Sequence, residues 1–93
     1  MLKHIVIWNL KDPAQGPELK RRLEALVGVV PPIRAFEVGM NIVPSETAGD
    51  IVLVSTFDDP AGLKAYAEHP EHLKVVDFVK QVVSHRRAAD YLA

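Results

Sequence analysis

Two β-rich runs in this chain, Ile5 to Trp8 and Ile51 to Val54, are apolar at every position, so each presents hydrocarbon to both sides of any sheet it joins. A strand of that kind belongs at the centre of a sheet, with neighbours on both edges. The first run extends over Leu2 to Leu10 and stops at the turn signal Lys11-Asp12-Pro13. The second extends over Ile51 to Phe57, after a loop rich in Pro, Ser, Thr and Gly. Two further strands carry charge, as edges do. Ile33 to Val43 holds Arg34 and Glu37, with Phe36, Val38, Met40 and Ile42 forming its apolar face, and Ser84 to Leu92 holds Arg86 and Arg87.

Helical signals fill the gaps. Pro17 suits a first helical position, Glu18 suits the first turn, and Leu19, Leu23, Leu26, Val27 and Val30 recur at helical spacing, with Gly28 expected to end the helix. Asp59-Pro60 reads as an N-cap followed by proline at N1, opening a helix with Leu63, Tyr66 and Ala67. His69-Pro70 breaks it. A residue before proline is pushed out of helical geometry, so a new helix is expected from Pro70 to about Val83 with Leu73, Val76, Val79 and Val83 inward. The order βαββαβ, with a kinked second helix, predicts an α+β chain of ferredoxin-like split βαβ type: one domain over residues 1–93, a four-stranded antiparallel sheet and helices on one face.

Helices on one side cannot cover both faces of the central strands. Ile5 and Ile7 fall opposite His4, Val6 and Trp8, and Val52 and Val54 fall opposite Leu53 and Phe57. Burial of an aliphatic side chain contributes roughly 1.5–3 kcal/mol, so four left wet would cost several kcal/mol and invite aggregation. Pairing of two sheet faces in a homodimer is the expected remedy.

Composition narrows the functions. The net charge is −1 and the eleven Lys and Arg are scattered, so nucleic acid is not an expected partner. The chain has no cysteine, which removes thiolate nucleophiles, disulfides and cysteine-bound metal. Apolar stretches of four residues fall short of a membrane span or a signal core, giving the expectation of no membrane contact and a cytoplasmic location. A metal bound by His4, His69 and His72 is not expected either, because no carboxylate pattern accompanies them and two of them straddle the helix break.

What remains is the chemistry of His4, Tyr66, His69 and His72. His4 early in the first strand, Gly39 in the second, and Tyr66-x-x-His69-Pro70-x-His72 ahead of an amphipathic helix resemble the stress-responsive dimeric A/B barrel (Dabb) family over essentially the whole chain. The resemblance implies a homodimer closing two sheets into a barrel, with a cavity in each subunit between helices and sheet. It also implies, by likeness to a branch that cyclises polyketides, a cofactor-independent intramolecular aldol reaction in which His72 and Tyr66 handle the protons and His4 lines the same pocket. Val6, Trp8, Leu19, Leu23, Leu53 and His69 are then expected to line the ligand site, no cofactor is expected, and the ligand should be small and hydrophobic.

Elementary electrostatics agrees in part. With His69 as N-cap, His72 is the third helical residue, where the positive helix end disfavours imidazolium and leaves a neutral ring able to act as a base. Plainer roles stand beside these: His69 as a cap, Tyr66 and Trp8 as core aromatics, and His85 as a solvated side chain on an edge. Two other functions fit the same pocket: non-catalytic binding of a hydrophobic or phenolic compound, and cofactor-independent monooxygenation.

Overall fold

The computed structural model describes residues 1–93. Strand β1 (Leu2–Leu10) leads through a 3-10 turn (Pro13–Gln15) into helix α1 (Gly16–Glu24), then strands β2 (Ala35–Met40) and β3 (Ile51–Phe57), helices α2 (Pro60–Glu68) and α3 (Pro70–Val82), and strand β4 (Val83–Leu92). The sheet order is β2-β3-β1-β4 with every pair antiparallel, so the two fully apolar strands occupy the middle and the charged ones the edges. This is the ferredoxin-like fold expected from the strand chemistry. None of its helices is long and apolar enough to cross a membrane.

Alternation along β1 and β3 decides which side the helices cover. Leu2, His4, Val6, Trp8 and Leu10 are buried under them, as are Ile51, Leu53, Ser55 and Phe57. On the other face Ile5, Val52 and Val54 are half-buried and Ile7 is 41% exposed. Ser55 and His4 are the polar residues buried there, and the Ser55 hydroxyl donates to the His4 carbonyl at 3.0 Å, which satisfies it. The loop before β3 is tied to β1 by the Asp50 carboxylate, which accepts from the Leu10 N–H at 2.7 Å, and by Asn9, which donates to the Ala48 carbonyl at 3.1 Å.

The helix starts follow their capping chemistry. Asp59 is extended and accepts from the Gly62 N–H at 2.8 Å, with Pro60 at N1. His69 has φ −64° and ψ 135°, outside helical geometry, and serves α2 as C-cap and α3 as N-cap. Its Nδ1 accepts from the Glu71 N–H at 3.1 Å. The break at His69-Pro70 and the restart at Pro70 therefore stand where the sequence puts them.

Three expectations need correction. Helix α1 ends at Glu24, because from Leu26 the chain tightens into i→i−3 hydrogen bonds; Leu26 and Val30 are still buried from this turn, while Val27 is exposed. Strand β2 is shorter than Ile33 to Val43: its ladder reaches Met40, and Ile42 is 88% exposed, so the apolar alternation outruns the pairing. On α3, Leu73 points outward at 49% exposure, and Val75 and Val82 are the buried residues, with Phe78 and Val79 partly buried against the core. A cation–π contact, the Arg22 guanidinium 3.9 Å from the centre of the Phe78 ring, helps seat α3 against α1.

That correction is testable. Val75→Ala removes two buried carbons and should cost about 2 kcal/mol in urea unfolding. Leu73→Ala, although it removes more, should stay within about 0.5 kcal/mol. The reverse order would mean that the inward stripe of α3 runs through Leu73 after all.

Candidate functional site

A cavity of about 380 Å³ lies between the sheet and the two later helices. Its floor is the covered face of β1 and β3, contributing His4, Val6, Trp8 and Leu53. Its walls are Leu23 of α1, Leu63, Tyr66 and Ala67 of α2, and His72, Val75, Val76 and Val79 of α3, and Lys80 and Arg86 stand at the solvent side. The volume lies toward the small end of the range for ligand pockets, and the lining is mostly hydrocarbon with a few polar groups.

The break at His69-Pro70 assembles the polar group. In a continuous helix, residues six apart are about 240° around the axis and roughly 9 Å along it, so Tyr66 and His72 would point apart. Here their ring centres are 4.3 Å apart with the planes inclined at 43°. Tyr66 is 2% exposed and packs against Phe57 at 5.0 Å and His4 at 6.4 Å between ring centres.

Protons on the two cavity histidines follow from their partners. His72 Nδ1 lies 2.9 Å from the carbonyl oxygen of Ala67, one of the last carbonyls of α2, which have no helical partner. A carbonyl can only accept, so Nδ1 carries the hydrogen, and in the neutral ring Nε2 keeps its lone pair. His4 Nδ1 is hydrogen-bonded to the carboxylate of Asp90 on β4, opposite it in the β1–β4 register; a carboxylate too can only accept, which again places the proton on Nδ1.

Burial shifts the titration of two groups. Desolvation lowers the His72 pKa below the ordinary imidazole value of 6.5; the Ala67 carbonyl opposes this, and the charges of His4, Arg86 and His69 add to it. Neutrality at His72 thus comes first from burial, where the sequence pointed to the helix terminus. Burial also holds the Tyr66 phenol well above its usual value, with Arg86 opposing, so at neutral pH Tyr66 is a hydrogen-bond donor and not a phenolate.

Of the residues expected to line the site, Val6, Trp8, Leu23 and Leu53 border the cavity together with His4, Tyr66 and His72. Leu19 and His69 do not. Leu19 is fully buried in the core, a turn of α1 away from Leu23, and His69 is occupied in capping α3. Lys80 and Asp90 carry no signal in the sequence, and Arg86 reads there only as an edge-strand charge. Asp90 and Arg86 alternate along β4 on the covered side, but only the register with β1 sets them opposite His4 and Trp8. No group of three or more His, Cys, Asp or Glu is arranged to hold a metal ion.

Fold and site together define a ferredoxin-like α+β chain with a mostly apolar cavity between helices and sheet. The chain belongs to the stress-responsive A/B barrel domain family, whose pattern it matches over residues 2–93. It is 28% identical over 97 aligned residues to a stress-response A/B barrel domain-containing protein of Arabidopsis thaliana; the alignment spans all of this chain and 37% of that protein, so the chain is a little over a third of its relative's length. Among solved structures, a dimeric ferredoxin-like protein of unknown function from Bacteroides fragilis superposes with a TM-score of 0.89 at 33% identity, over 99% of this chain and 95% of that one. A hydroxynitrile lyase from Passiflora edulis shares the fold, with a TM-score of 0.85 at 17% identity, over 99% of this chain and 92% of that one.

The lowered His72 pKa has a consequence for stability. Below about pH 6.5 the unfolded chain takes up a proton at this residue before the folded chain does, so stability falls as pH drops from there towards the lower folded value; above it both forms are neutral and the residue adds no pH dependence. In urea unfolding from about pH 7.5 down to about pH 5, the stability of the wild type relative to His72→Gln should decline. A difference that stays flat over that range would show that the ring is not desolvated.

Proposed function

We propose that this chain is a cofactor-independent proton-transfer enzyme of the cyclase or isomerase kind, acting on a small carbonyl compound held in the cavity. The observation that carries this reading is the pairing of Tyr66 with His72, at 4.3 Å between rings, inside a mostly apolar pocket. His72 Nε2 takes a proton from the carbon next to a carbonyl group. The electron pair left behind delocalises as an enolate, and its oxygen accepts a hydrogen bond from the Tyr66 hydroxyl, a donor placed where charge develops. In an aldol cyclisation the enolate carbon then attacks a second carbonyl of the same molecule, and the His72 imidazolium returns its proton to the new alkoxide. His4, held by Asp90, orients the substrate's oxygen. The apolar walls exclude water and select by shape.

The simplest probe is exchange of the α-protons of hexan-2-one for deuterium in D₂O, followed by NMR. The wild type should accelerate exchange beyond an equal concentration of free imidazole. His72→Ala and Tyr66→Phe should each lose on the order of a hundredfold or more, while hexan-2-one affinity stays within about threefold. No acceleration by the wild type would sink the enzyme reading and favour the non-catalytic binding protein.

The same reading includes a homodimer through the open sheet faces, which would cover Ile5, Ile7, Val52 and Val54. It is supported by the exposure of Ile7 and by the dimeric description of the relative from Bacteroides fragilis. Light scattering after gel filtration should give twice the chain mass, and Ile7→Lys should give a monomer or prevent folding. A wild-type monomer at high micromolar concentration would rule this pairing out.

A further inference from the structure

The charges around the cavity are one-sided. Lys80 and Arg86 both border it, and no Asp or Glu does. The ion pairs of the chain involve other cations, Arg21 and Arg22 with Glu18, Arg34 with Asp58, Lys64 with Glu68 and Lys74 with Glu71, while the nearby Asp90 is committed to His4. Two cations at the edge of an apolar pocket thus lack a neutralising partner.

The position of Arg86 separates it from an ordinary solvated side chain. It lies directly opposite Trp8 in the β1–β4 register, on the side of β4 that faces the helices, whereas its neighbour Arg87 falls on the open sheet face. Trp8 itself is 5% exposed, and its indole Nε1–H has no acceptor in the chain. An unneutralised guanidinium therefore stands in register with a wall residue of the cavity, where a bound acid group would neutralise it. The field of Arg86 also reaches Tyr66 and His72, where it favours phenolate over phenol and neutral over protonated imidazole.

We propose that the cavity takes a compact apolar molecule bearing one carboxylate, whose oxygens are held by Arg86 and Lys80 while its carbon chain lies along Val6, Leu53 and Val75. The guanidinium presents a planar fork of donors matched to a carboxylate, and the lysine adds a point charge. The acid group stays at the solvent side, where its desolvation cost is small, and the reactive part of the molecule extends towards Tyr66 and His72. This rests on the cavity being the ligand site of the proposed function and names the class of substrate it admits.

Trp8 is the only tryptophan, so its fluorescence reports occupancy of the cavity directly. The probes are hexanoate and hexanamide, equal in length and silent at the wavelengths used. At low ionic strength hexanoate should bind at least tenfold more tightly than hexanamide. Arg86→Gln should collapse that ratio to within about twofold while leaving hexanamide affinity unchanged, and Lys80→Gln should reduce it by a smaller factor. Lys64→Gln, a charge loss on the exposed side of α2, should leave it intact. Equal binding of acid and amide, failure of hexanoate to bind, or a ratio insensitive to Arg86 overturns the proposal. The experiment reads binding alone, so hexanoate selectivity in a protein that fails to exchange ketone protons would uphold the charge assignment while removing the catalytic one.

Discussion

The proline ring of Pro70 crowds the backbone of His69 and removes an N–H from the helical ladder, and the arrangement of the site depends on that steric exclusion. Because His69 leaves helical geometry, α3 starts afresh with its own axis, and His72 turns back over the end of α2. The carbonyls stranded at that end then have a donor within reach, and Ala67 takes the one on His72. One constraint thus brings Tyr66 and His72 together and sets which imidazole nitrogen is free. Capping supports the arrangement, since the His69 ring satisfies an orphan N–H of the helix it begins.

The second determinant is the two-sided apolar character of β1 and β3. One side is covered by helices that pack closely around Leu19 and Phe57 and leave the cavity beside Leu23, Tyr66 and His72. The cavity is therefore a gap between the sheet and the helix pair that meets at the His69-Pro70 break. A buried, mostly hydrocarbon space strengthens each polar interaction inside it and penalises charge there. That is why the imidazole of His72 is held neutral and the phenol of Tyr66 protonated.

Most of the fold was legible because its signals are local. The spans of β1 and β3 follow from unbroken apolar runs, the start of α2 from Asp59-Pro60, and the break from His69-Pro70. The misreadings arise where tertiary contacts decide. Alternation in β2 runs on to Ile42, but the strand pairs only as far as β3 accompanies it. Helical spacing allowed Leu73 or Val75 to face inward, and the packing of α3 against α1 and α2, which no local pattern encodes, selected Val75. Within the site, His4, Tyr66 and His72 could be placed on the right faces of their elements. The partners that set their protons and charges, Asp90, the Ala67 carbonyl and Arg86, come from strand register and from the geometry of the break. Leu19 shows the converse error: it shares a helix face with Leu23, yet one turn along the axis separates a core position from a cavity wall.

Burial leaves the His72 ring neutral, and the Ala67 carbonyl holds its proton on Nδ1, so that Nε2 keeps a free lone pair. Long-range ¹H–¹⁵N correlation of the imidazole rings near neutral pH observes this directly. For His72 the Nε2 resonance should lie at the position of an unprotonated ring nitrogen and Nδ1 at that of a protonated one. A protonated Nε2, whether in the other tautomer or in an imidazolium, would contradict this, because the group assigned as base would then have no lone pair to use.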